Sequence, residues 1–138
     1  MLPIQEATIR LFLHVLGATV WVGGQVALAG VVPVVRRFGG IETAREVARR
    51  FQLIAWPAFG LLVATGIWNL FAEEVGERST SYTTTLFVKL FLVAVSGIGA
   101  AGHIFFARRR PALGGILAAL GLLAALGATF LGVLLATG

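Results

Sequence analysis

Cysteine is absent from the 138 residues, which excludes disulfides, thiolate metal ligands and cysteine nucleophiles. Charge is scarce as well: Asp, Glu, Lys and Arg make up 12% of the chain, against roughly 25% in an ordinary soluble domain. Six acidic residues face eleven basic ones, a formal net charge of +5. No interleaving of aromatic and basic residues accompanies that charge, so the footprint of a nucleic-acid binder is missing. What fills the chain is apolar. Hydrophobic residues reach 58% with the 18 glycines left out of that figure, and the mean hydropathy is +0.94. A soluble domain reaches about 45–50% with glycine included. The length leaves little room for a second domain, so the expectation is a single transmembrane domain over residues 1–138 with the lipid bilayer as its first partner.

Four apolar runs, about 11–35, 51–71, 86–107 and 112–137, each approach or exceed the roughly 20 residues that a spanning helix needs. They predict an all-α protein, an integral membrane antiparallel four-helix bundle. The basic residues cluster between runs: Arg36, Arg37, Arg45, Arg49 and Arg50 in the first loop, Arg108, Arg109 and Arg110 in the third. The second loop is acidic, with Glu73, Glu74 and Glu77 against Arg78. The positive-inside rule therefore places loops one and three in the cytoplasm and both termini outside, in a multi-pass protein of the cell (inner) membrane. Glu6 precedes the first basic residue, Arg10, and no small-residue exit follows the first run, so a retained first helix is expected rather than a cleaved signal. ETAREVARR reads as a short amphipathic helix entering the second span, and Pro57 is expected to kink that span. In the fourth run, small residues recur at Gly114/Ala118, Gly121/Ala125 and Ala128/Gly132, the pattern of a packing helix or a homodimer face.

The polar residues inside these runs carry the functional signal. At about 100° per residue, His14, Gly17, Trp21, Gly24, Gln25 and Leu28 share one side of the first helix. An ionisable side chain within a membrane is costly and is a functional candidate by default. On the third run Lys89, Ser96 and His103 recur every seven residues along one face. The second run adds Arg49, Gln52, Trp56 and Phe59 on one side, with Gly66 and Asn69 further on. At 1.5 Å per residue, His14 lies about 6 Å from the outer end, level with Lys89, while His103 lies about 25 Å down. Two polar layers result: His14, Trp68, Asn69 and Lys89 towards the outside, and Gln25, Gln52, Trp56 and His103 towards the inside. The histidines therefore belong to separate layers, about 20 Å apart along the membrane normal.

Three segments resemble a known pattern. His14-V-L-G-A-T-V-Trp21-V-G-Gly24 is similar to the first-helix signature H-x-x-G-x-x-x-W-x-x-G of the CopD-like and HemJ-like membrane proteins. Arg49-R-F-Q-L-I-A-W-Pro57, followed by Thr65-Gly66, resembles the basic entry, proline and glycine of their second helix, and Val88-Lys89-Leu90 the lysine–leucine step that opens their third. The resemblance covers about the first 107 residues.

For the HemJ-like members the resemblance implies a haem b-binding oxidase in which His14 and Lys89 are the functional positions, Lys89 serving in catalysis. On this reading His14 is an axial ligand, Trp21, Gly24, Lys89 and Arg49 border the cofactor, His103 binds a second haem near the inner face, and a redox partner or quinone exchanges electrons with the site. CopD-like members imply copper transport or resistance, with His14 and His103 as separate metal stations. Yet the chain lacks the Met- and Cys-rich sites that soft Cu(I) favours, having Met1 alone and no cysteine. A third reading, a non-catalytic structural or assembly subunit, assigns the polar residues to hydrogen bonds between helices.

Overall fold

The computed structural model describes residues 2–138, and nearly all of them are helical. The elements are α1 (Glu6–Ala18), a π-helical turn (Thr19–Gly23), α2 (Gly24–Ala72), a 3-10 turn (Val75–Glu77), α3 (Thr80–Phe106) and α4 (Pro111–Thr137), with no strand among the described residues. Three helical stretches are long and apolar enough to cross a bilayer: Glu6–Ala72, Thr80–Phe106 and Pro111–Thr137. The sequence led us to expect four. The difference lies in the first stretch, whose 67 residues contain both of the first two apolar runs.

That stretch does not run straight. Gly40, at φ +80° and ψ 172°, is the one residue of α2 outside helical φ/ψ, in a region that only glycine enters without strain. The Thr43 hydroxyl donates to the Gly39 carbonyl at 2.6 Å, occupying an acceptor at the break. Beyond it residues 41–50, the expected amphipathic segment, run into the second arm without interruption. Glu46 there accepts from Arg49 and Arg50, each at 2.9 Å, and Arg45 pairs with Glu42. The guanidinium of Arg50, then that of Arg49, holds the Glu46 carboxyl below the usual carboxylate range. Pro33 and Pro57 are both carried inside helix, and the one break in helical φ/ψ falls at Gly40.

The chain divides into two compact units, Met1–Glu74 and Val75–Gly138. In the first, partners descend along the second arm as α1 ascends: Arg10 meets Glu73, His14 meets Thr65, Gly17 meets Ala58 and Leu62, and Trp21 meets Trp56. This is an antiparallel hairpin. Its closest approach is at Gly17, where a Cβ would stand 2.9 Å from the Ala58 carbonyl oxygen and 3.0 Å from the Leu62 nitrogen. Trp21, 3% exposed at the centre of the π-helical turn, packs on Trp56 and Phe59 with centroids 5.4 and 4.4 Å away. The arm ends as Glu74 takes a left-handed conformation at φ 46°, a common helix stop.

The second unit pairs α3 with α4. Ser79 caps α3 by accepting from the Tyr82 N–H at 3.2 Å. The hydroxyls of Thr83, Thr84 and Thr85 donate to carbonyls four residues back, which lets a hydroxyl-rich sequence stay helical in an apolar setting. The small residues of α4 are spent on α3. A Cβ at Gly99 would stand 2.8 Å from both the Gly121 Cα and the Leu117 carbonyl, and Gly114, Gly121, Ala124, Ala125 and Ala128 are buried. Large apolar side chains such as Phe91, Ile98, Leu123 and Phe130 point away from the protein, as lipid-facing residues do.

Because the neighbours at Gly17 and Gly99 are backbone, they cannot swing aside. Gly17→Ala and Gly99→Ala should each cost about 1–3 kcal/mol through forced separation of the helices. Gly60→Ala meets nothing within 4 Å and should be tolerated. Thermal unfolding in detergent checks this; equal melting temperatures for all three variants would contradict the packing described.

Candidate functional site

His14 stands on α1 one turn after Arg10, half-buried against the second arm of its hairpin. Its Nδ1 lies 3.0 Å from the Thr65 Oγ1. Thr65, 3% exposed, has one hydroxyl hydrogen, and its Oγ1 is 2.6 Å from the Leu61 carbonyl and 3.2 Å from that of Leu62. A carbonyl only accepts, so the threonine hydrogen goes to the backbone and the Oγ1 must accept from the imidazole. Nδ1 therefore carries the proton. In the neutral ring Nε2 then holds the lone pair, the form that binds a metal or takes up a proton. Gly66 lies against the ring: a Cβ there would meet Cε1 at 3.4 Å, an ordinary van der Waals contact.

One turn from this layer lies a second polar layer. Arg10, 6% exposed, reaches Glu73 through Nη2 at 3.4 Å. Asn69 stands midway along the arm between Thr65 and Glu73, four residues from each, so all three share a face. Deeper in the hairpin come the Trp21, Trp56 and Phe59 rings, and then Gln25, whose Nε2 is buried with no hydrogen-bond partner.

The other sequence-predicted residues fall as follows. Trp21 is a member of the aromatic cluster, and Gly24 makes room for the ring of Phe51. Arg49 is exposed and paired with Glu46. Trp68 is 40% exposed. Lys89, Ser96 and His103 mark the α3 side of the seam with α4: a Cβ at Gly132 would lie 3.2 Å from the Lys89 Nζ, one at Gly121 would lie 3.2 Å from the Ser96 carbonyl, and the His103 Nδ1 donates to the Gly114 carbonyl at 2.8 Å. Their sevenfold spacing is thus the period of a helix–helix contact. His103, like His14, keeps its Nδ1 proton on the facing helix.

Sequence reasoning singled out His14 but missed Thr65, its hydrogen-bond partner, and the buried Arg10 one turn away. Thr65 was visible beside Gly66, although nothing in a lone threonine separates a ring-orienting hydroxyl from one that merely back-bonds to its own helix. Arg10 was read only as the first basic residue of the chain. Among the described residues, no group of three or more His, Cys, Asp or Glu side chains is placed to hold a metal ion.

Comparison with known proteins gives one informative match. The chain is 31% identical over 133 residues to an uncharacterised protein of Aquifex aeolicus (strain VF5), spanning 89% of this chain and 90% of that protein. No family model matches the chain, and no solved structure does.

Thr65→Val removes the acceptor of the imidazole Nδ1–H while preserving shape. It should destabilise the protein by about 1–2 kcal/mol, the cost of an unmet half-buried donor, and Thr65→Ser should recover most of it. Chemical or thermal unfolding in detergent measures both; a fully stable Thr65→Val protein would mean that the His14–Thr65 bond carries no weight.

Proposed function

The chain belongs to the same family as the Aquifex aeolicus protein, and we propose that it is a haem b-binding redox protein of the inner membrane, whose haem His14 would hold through Nε2. The observation that carries this reading is the hydrogen bond from the His14 Nδ1 to Thr65, which orients the ring and leaves the lone pair on Nε2. The donor set also fits. A bare metal ion needs several protein ligands brought together, and no such group occurs among the described residues. A porphyrin brings four nitrogens of its own, so one imidazole from the protein is enough to fix it. This favours haem over copper.

The resemblance to the CopD-like and HemJ-like proteins supports the same assignment. Each hairpin then crosses the bilayer twice, giving four spans, with the arginine-rich loops in the cytoplasm and both termini outside. Bound haem supplies one-electron exchange. The protein's own part is to hold the ring through His14, to fix that imidazole through Thr65, and to keep bulk water away with apolar helix faces. Lys89, the single lysine of the chain, sits half-buried within α3 as the candidate proton carrier for oxidation of a tetrapyrrole or a quinol-type partner.

An absorption spectrum of the detergent-purified protein, oxidised and dithionite-reduced, with metal analysis of the same sample, tests the reading. A Soret band with sharpened reduced α and β bands is expected, and His14→Ala should abolish the haem spectrum that His14 supports. A colourless protein that takes up no added haemin overturns it: copper without porphyrin would point to copper handling, and no metal at all to a structural subunit.

A further inference from the structure

Arg10 is an unusual residue for its place. Its side chain is buried almost completely at one end of an apolar hairpin, where a guanidinium stays charged because it does not give up its proton. Such a charge needs its donors met. They are not: the contact from Nη2 to the Glu73 Oε1 is 3.4 Å, long beside the roughly 2.7–2.9 Å of a charge-assisted hydrogen bond, and Nε is buried with no acceptor. The Nε and Nη2 atoms form one edge of the guanidinium, the fork that takes a carboxylate with two parallel hydrogen bonds. Glu73 reaches that edge at Nη2, and Nε is left unmet. Asn69, on the same face of the arm, likewise has its buried Oδ1 unmet.

Arg10 lies four residues before His14, one turn away and about 6 Å along the helix on the same side. Glu73 and Thr65, their partners on the second arm, are eight residues apart and face the same way. The Arg10–Glu73 pair therefore lies on the same side of the hairpin as the His14–Thr65 pair, towards the end where α1 begins. A ligand held by His14 with carboxylates on one rim would bring them towards Arg10. We infer that Arg10 is a carboxylate clamp for the porphyrin, pairing with a propionate and sharing its outer edge with Glu73. This rests on the haem reading above and adds to it the group that sets which rim of the porphyrin faces the Glu73 end. The propionate chemistry is common to haem and to a tetrapyrrole substrate, so the clamp serves whichever occupies the site.

The test is a binding titration of the haem-free protein, followed by the Soret band, with haemin and with haemin dimethyl ester, in which both carboxylates are blocked. The wild-type protein should bind haemin at least tenfold more tightly than the ester. Arg10→Met should weaken haemin binding by a similar factor and leave the ester unaffected, so that the preference disappears; its ratio also serves as the reference for partition into detergent. If Arg10→Met does not fold, Arg10→Lys, which keeps the charge but loses the fork, should show a reduced preference. Equal wild-type affinity for haemin and ester overturns the clamp while leaving haem binding intact. Binding of neither overturns both.

Discussion

A threonine hydroxyl has one hydrogen, and Thr65 gives it to its own helix. The rest of the site follows from that economy. Because the Leu61 carbonyl takes the hydrogen at 2.6 Å, the Thr65 oxygen can only accept, and the imidazole 3.0 Å away must be the donor. One choice of hydrogen-bond direction, made inside a single turn of α2, thus sets the tautomer of a histidine on α1. It also gives the half-buried ring a partner that water cannot offer within an apolar hairpin.

That bond can form only because the two arms come close, and the approach is a matter of missing side chains. Gly17 lies one turn from His14 and puts α1 against the backbone of Ala58 and Leu62. Gly40 turns the chain so that the second arm returns along the first. The α3–α4 unit repeats the principle with other residues: Gly99 meets Gly121, and His103 hands its Nδ1 proton to the Gly114 carbonyl. Helices in lipid gain little from burying apolar surface against each other, so close contact between small residues and a few polar links has to hold them. In each hairpin a single histidine serves as one of those links.

Much of this was legible in the sequence, at the level where composition and period speak. The apolar runs, the acidic second loop, the helical entry after Glu42 and the polar stripe through His14 and Trp21 all depend on local pattern, and the helices follow them. The count of separate helices did not, because residues 41–50 continue into the second arm and only Gly40 interrupts the long stretch. The π-helical turn around Trp21 has no clear sequence signal, and it carries Trp21 into a cluster with Trp56 and Phe59. The sevenfold repeat of Lys89, Ser96 and His103 was visible; that it marks a seam with α4 depends on a partner helix the repeat itself does not name. Arg10 was hidden for the same reason. A first arginine reads as a topology signal until Glu73, 63 residues later, is known to lie beside it.

The site turns on the protonation of one ring. The most direct measurement is a 15N spectrum of haem-free protein labelled at histidine, with a His103→Gln variant to leave His14 alone in the spectrum. The geometry predicts a protonated Nδ1 for His14, with the Nδ1–H shift moving on Thr65→Ser. A bare Nδ1 with the proton on Nε2, or a ring averaging between both tautomers, would contradict it and remove His14 as a preorganised ligand.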